Sequence, residues 1–326
     1  MVVAAAAVAA AVAAGAEGKT AMITLRRLLA VRCPAACRQI AVALCLVAGA
    51  AGAAAAQKAF PTAEAAMAAF GTAVANSDDK AMMSLLGDNY RTLIPPIGAD
   101  IRTRFLTAWE ASHVVQAVDD QHARIAVGTD GWTLPVPLVK SAGGWRFDTR
   151  AGVEEMRVRR IGRNELAVIQ TMLAVYDAQC EYARTDHDGS GVLAYATRLA
   201  SAPGKKDGLY WPTQPGETPS PLGQAFLTAG SRNGGAEGYY GYHYKLLTRQ
   251  GPHAPGGAYD YLVRGKLFGG FAVIAWPVRY GDTGVKTFMV SHAGRVYERD
   301  LGPDSAIKAA AMTAFDPGPG WTEEQP

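Results

Sequence analysis

The sequence predicts an α+β fold, and three observations predict it. Apolar residues recur at spacings of three and four through residues 162–185, which is one face of a helix. Alternating runs bounded by glycine and proline fill residues 241–299, the pattern of antiparallel strands. Between residues 57 and 153 short helical patterns come first and hairpin-like pairs follow, so helices and strands are segregated along the chain.

The first 56 residues read as a leader. Arg26, Arg27, Arg32 and Arg38 form a basic part, residues 40–47 an apolar stretch, and Ala54, Ala55 and Ala56 the small residues before a cleavage point. Met22 is the expected start of the signal peptide (residues 22–56) and Gln57 the expected mature N-terminus. Neither apolar run in the leader is the clean span of about 20 residues that a membrane helix needs. No transmembrane helix is expected in the mature chain.

The leader also carries the excess of positive charge. Five of the 32 Lys and Arg and one of the 29 Asp and Glu lie in residues 1–56, leaving 27 basic and 28 acidic residues beyond it. A near-neutral mature chain lacks the electrostatic footprint of a nucleic-acid binder. Three of the four cysteines, Cys33, Cys37 and Cys45, fall in the leader as well. Cys180 is left alone, unable to form an internal disulfide, and its place on the helical stripe fits a small buried apolar residue.

In an N-terminal α+β domain, residues 57–153, Thr62 caps a helix reaching Ala75, and Ser77-Asp78-Asp79 starts a second. A third is expected over residues 100–112, with Phe105, Leu106 and Trp109 inward. Strands are expected at residues 113–118, 123–127, 132–139 and 145–148, the last pair turned by Ser141-Ala142-Gly143-Gly144. Pro135 and Pro137 cannot donate ladder hydrogen bonds and mark an edge or a bulge. Tyr90, Trp109, His113, Trp132 and Asp148 either line a pocket or fill a small core.

The C-terminal domain is expected over residues 154–316. Arg157, Arg159, Arg160 and Arg163 read as a solvated linker, or as partners for acids across a domain boundary. The main helix then starts with Asn164 as cap and Glu165 in its first turn, and buries Leu166, Ile169, Leu173, Tyr176 and Cys180, with Met172, Val175 and Ala183 widening the stripe. It stops at the run 185–191. There Asp186, Asp188 and Ser190 hold the first, third and fifth positions of a calcium loop of the EF-hand type, with Gly191 at its obligatory turn. The twelfth position is Thr197 and not a bidentate glutamate, so calcium competes with a plain Asx-rich turn. A long connection follows, anchored by Tyr210 and Trp211, then a short helix over residues 222–229. Strands are expected at residues 241–247, 259–263, 270–277, 285–291 and 296–299, the third of them central because it is almost wholly apolar. Asp304 caps a last helix, residues 306–315, and residues 317–326 form a flexible tail.

The blocks RRIGRNELAVIQTMLAVYDAQCEYA, GKKDGLYWPTQPGETPSPLG, GPHAPGGAYDYLV, GGFAVIAWPVRYGDTGVKTF and YERDLGPDS resemble the bacterial domain-of-unknown-function family 2950. That resemblance covers nearly the whole mature chain. It implies an exported protein, periplasmic or secreted, and brings no catalytic residues with it. The C-terminal half is similar in element order to type IV pilin and pseudopilin heads, in which a long helix lies across an antiparallel sheet. The N-terminal half resembles nuclear transport factor 2-like domains.

The chain has no nucleophile elbow, His-x-x-x-His pair, phosphate loop or redox cysteine pair. The expected function is therefore a non-enzymatic interaction or envelope-associated module with an envelope protein as partner. The alternative is a periplasmic hydrolase or small-ligand binder. Its candidate residues are His243 with Asp260 or Asp207 beside the wall of Tyr210 and Trp211, or the N-terminal pocket around His113. A third expectation is a calcium-stabilised module using Asp186, Asp188 and Ser190.

Overall fold

The computed structural model describes residues 57–96, 98–224, 226 and 237–324. The leader, half of the expected helix at residues 222–229 and much of the following glycine-rich stretch lie outside the described residues. The fold combines helices with antiparallel sheets and belongs to the α+β class.

Four helices open the described chain: α1 (Ala63–Ala75), α2 (Asp79–Leu86), α3 (Tyr90–Leu93) and α4 (Ala99–Ala111). The caps are the expected ones. Thr62 Oγ1 accepts from Ala65 N at 3.1 Å, and Asp78 Oδ1 from Ala81 N at 3.0 Å. Strands β1 (His113–Ala117), β2 (His122–Val127), β3 (Leu138–Ser141) and β4 (Gly144–Phe147) follow as an antiparallel meander in the order β1-β2-β3-β4. The expected strand over residues 132–139 forms only at its end. Pro135 and Pro137 supply no N–H, and upstream of them a single bridge, Ala126 with Thr133, reaches β2. Phe60, Phe70, Leu85, Ile125, Leu138 and Phe147 close the core of this part.

Helix α5 runs from Thr149 to Tyr182, 34 residues capped by Asp148, whose Oδ1 accepts from Ala151 N at 2.9 Å. It starts well before the expected Gly162. Gly162 is exposed with open space around it, so it costs about 1 kcal/mol of propensity without blocking the helix. The expected boundary between residues 153 and 154 falls inside α5. The four arginines lie on this helix and not on a linker, and Asn164 is an interior residue whose Nδ2 donates to Thr283 O at 2.8 Å.

Beyond α5 come a short parallel pair, β5 (Arg198–Ala200) with β6 (Gly208–Tyr210), and strand β7 (Tyr242–Leu247). Two small hairpins, β8 (Arg249–Gln250) with β9 (Tyr259–Asp260) and β10 (Leu262–Val263) with β11 (Lys266–Leu267), precede β12 (Ala272–Pro277). Then follow β13 (Lys286–Ser291), β14 (Val296–Asp300), helix α6 (Ser305–Ala311) and β15 (Thr322–Glu323). The main sheet is antiparallel in the order β15-β14-β13-β12-β7, with the apolar β12 interior as expected. Two details differ from expectation. Asp304 makes no side-chain cap on α6. The tail is tied down as far as Glu323, because β15 pairs with β14 through Tyr297–Glu323 and Glu298–Thr322.

Helix α5 packs on this sheet. Val168, Met172, Val175 and Tyr182 join Tyr242, Val273, Ala275, Phe288 and Val290 in one buried cluster. Met172 and Val175, expected at the edge of the stripe, lie at the centre of the buried face, which is rotated by about a third of a turn from the expected one. Leu166 is 68% exposed, and Ile169, Leu173, Tyr176 and Cys180 are half-buried at its margin. The true face contains Thr171 and Gln179, whose polarity hides it from an apolar count. Gln179 is fully buried because its amide pairs with one residue: Oε1 accepts from Ala196 N at 2.9 Å and Nε2 donates to Ala196 O at 3.0 Å.

Candidate functional site

The end of α5 builds a groove of about 610 Å³. Three segments wall it: the turn after the helix (Thr185, Asp186, His187, Asp188, Val192), the loop ahead of β6 (Gly204, Lys205, Lys206, Asp207), and the β10–β11 turn (Gly265, Lys266). Its floor is aromatic. His187 stacks on Tyr182 with ring centroids 4.0 Å apart, and Trp211 packs edge-on against Tyr182 at 6.4 Å. Lys206 Nζ sits 5.3 Å from the centre of the Trp211 ring, within reach of a cation–π attraction.

The groove's carboxylates, the Tyr182 hydroxyl, His187 and Lys266 are occupied in holding its walls. The Tyr182 hydroxyl donates to Lys206 O at 2.5 Å, and burial, aided by the charges of Asp207 and Asp188, pushes the phenol up to about 12. Tyr182 therefore stays neutral near pH 7 and serves as a donor, not a base. His187 Nε2 lies 3.1 Å from Tyr182 O. Asp207 Oδ1 accepts from Ala202 N at 2.8 Å, and Arg198 Nε lies 3.6 Å from its other oxygen. Asp186 accepts from Asp188 N at 3.2 Å and from Gly191 N at 2.7 Å. Lys266 Nζ lies 2.8 Å from Asp188 Oδ2. Hydrogen bonds from Lys266 and Ser190 hold the Asp188 carboxyl far below the usual carboxylate range.

The residues expected to form a site divide between this groove and other places. Asp207 lines the groove, Trp211 backs its floor, and Tyr210 is half-buried beside the same core. His243 lies on β7, half-buried, its ring centroid 5.7 Å from that of Trp276, and burial lowers its pKa. Asp260 is exposed on β9. Among the described residues no hydrogen bond or ion pair joins His243 to Asp260 or to Asp207. The N-terminal aromatics chiefly build structure. Tyr90 and Trp109 are in the core, His113 lies flat on Trp109 at 4.6 Å, Asp148 caps α5, and Trp132 is 42% exposed.

Asp186, Asp188 and Ser190 do come together, with Lys266 seated on the last two. Thr197 Oγ1 donates to Asp207 O at 3.3 Å, away from any ligand role. Among the described residues no three His, Cys, Asp or Glu side chains form a group suited to a metal ion. Sequence reasoning missed Tyr182, Lys205, Lys206 and Lys266 as groove residues. Tyr182 was visible only as the end of a helix, and Lys266 reaches Asp188 from 78 residues away with no local motif to mark it.

The model of the family described as "Protein of unknown function (DUF2950)" matches residues 57–323. No curated protein and no solved structure matches the chain. The likenesses to pilin heads and nuclear transport factor 2-like domains thus rest on element order alone. Among the described residues no helix is long and apolar enough to cross a membrane.

Proposed function

The chain belongs to the DUF2950 family of proteins of unknown function, and from that premise and the geometry above we propose that it is an exported, non-enzymatic binding module of the bacterial envelope, periplasmic or secreted. Export is supported by the basic, apolar and small-residue order of residues 22–56. The family match begins at residue 57, the expected first residue of the mature chain.

The groove at the end of α5 is the contact surface of this reading. The observation that carries it is the commitment of the groove's carboxylates to its own walls: Asp188 to Lys266, Asp207 to Ala202 N and Arg198, Asp186 to Gly191 N. A general acid or base needs a hydrogen-bonding direction open to its substrate. A recognition surface needs a rigid frame and a few open contacts. Lys205 and Val192, which is 44% exposed, supply such contacts on the rim. An envelope protein is the expected partner.

The test has two arms. N-terminal sequencing of the protein from the envelope fraction gives Gln57 as the first residue, and a chain that stays in the cytoplasm at full length contradicts export. Mild crosslinking in envelope extracts gives one stable adduct that the pair Val192→Asp and Lys205→Glu abolishes and a remote Lys80→Glu leaves intact. A clean monomer under the same conditions counts against the binding reading. So does any turnover that Asp207→Asn abolishes.

A further inference from the structure

The turn after α5 has the spacing of an acidic cation loop, and its inner oxygens face a cation supplied by the chain itself. Gly191 N–H, at the sixth position, donates to Asp186 Oδ2 at the first, 2.7 Å away. Ser190 N–H donates to Asp188 Oδ1 at 3.1 Å. These bonds fold the loop around its acids. From the β10–β11 hairpin Lys266 then places Nζ 3.0 Å from Asp188 Oδ1 and 2.8 Å from Oδ2, and also donates to Ser190 Oγ. One positive group thus meets both oxygens of a carboxylate and a hydroxyl, which is how a bound cation is held. The hairpin delivers it through a tight turn in which Arg264 (φ 49°) and Gly265 (φ 82°) are both left-handed, the geometry of a type I′ connection.

We propose that the Lys266 ammonium is the resident cation of this loop: it takes the place a divalent ion has in acidic loops of the same spacing, and it ties the β10–β11 hairpin to the end of α5 without metal. Two features agree with this. The twelfth position, where a calcium loop needs a bidentate glutamate, is Thr197, and its hydroxyl is turned to Asp207 O. The Lys266 side chain is only 25% exposed although it lies at the tip of a small hairpin, so the ammonium is held within the loop and does not extend into solvent. The inference does not depend on what, if anything, the groove binds.

The experiment uses the full mature chain as wild type, Lys266→Met, Lys266→Gln, and Lys266→Met combined with Asp188→Asn. Thermal unfolding is followed in calcium and in chelator, and terbium binding by its sensitised emission. The wild-type midpoint is the same in calcium and chelator. Lys266→Met unfolds earlier in chelator, and calcium raises its midpoint. Removing a unit charge a few ångströms from the ion makes terbium bind at least about tenfold tighter than to wild type. Adding Asp188→Asn removes that gain. Lys266→Gln, which keeps a polar group for Ser190, shows the same gain if Lys266→Met does not fold. A wild-type midpoint that rises with calcium, or Lys266 variants that gain no terbium affinity, overturns the proposal.

Discussion

The two halves of helix α5 are held by different physics. The half after Val168 buries Val168, Met172, Val175 and Tyr182 in one apolar cluster with residues of β12 and β13, and the hydrophobic effect dominates there. The half before it is pinned by polar bonds. Arg157 donates to Gly281 O, Arg160 pairs with Asp282, and Arg159 reaches Thr133 O at 2.7 Å. Glu165 Oε1, near the join, accepts from Val285 N at 2.8 Å and Lys286 N at 2.9 Å. The difference teaches where a helix can be recognised from its own residues. An apolar face is written into the local sequence, whereas a polar clamp depends on loops elsewhere in the chain, 26 residues away for Thr133 and more than a hundred for Gly281, Asp282, Val285 and Lys286.

Substitutions sharpen that contrast, beginning with the largest effect. Met172→Ala empties space between α5 and the sheet and is expected to cost about 2–5 kcal/mol, read from the urea midpoint. Little change there would mean the apolar half does not seal the sheet. Gln179→Met strands the N–H and C=O of Ala196, for about 1–3 kcal/mol net, the buried methionine side chain offsetting part of the lost pairing. Glu165→Ala frees two backbone donors at a partly exposed site, for about 1–2 kcal/mol. Arg160→Ala breaks a half-exposed ion pair and is expected to cost about 0.2–1 kcal/mol, a loss that 1 M salt conceals. If Arg160→Ala cost as much as Met172→Ala, the division between the halves would fail.

Acid adds a further contrast, because His243 on β7 and His292 just after β13 are half-buried. Burial lowers the pKa of His243 and of His292 in the folded chain. The unfolded chain then binds protons more readily, so this contribution is fully present above the unfolded value of about 6.5. It is lost as pH falls through that value toward the lowered folded one. The urea midpoint is expected to drop between pH 7.5 and 5.5, and the drop to shrink in His292→Gln. A midpoint that rises on acidification would refute the sign.

Much of the fold was legible. Thr62 and Asp78 announced their helices, and the uninterrupted apolar run of β12 marked the interior strand. The first half of α5 was not legible, because Gly162 and a run of arginines look like a break when the loop at Arg279–Lys286 is not known to lie beside them. The buried face of α5 was misplaced for a related reason. Gln179 counts as polar in a periodicity, yet its two bonds to Ala196 make it a core residue. The groove was half legible: Asp207 and Trp211 stood out by chemistry, while Lys266 gains its meaning only through contact with Asp188.

Native-state hydrogen exchange along α5 tests the central claim most directly. Amides from Val168 to Tyr182 are expected to exchange only with global unfolding, and those from Val153 to Ile161 to open at lower free energy, more readily still in 1 M salt. Equal protection along the helix at both salt concentrations, or earlier opening of the Val168–Tyr182 segment, would contradict it.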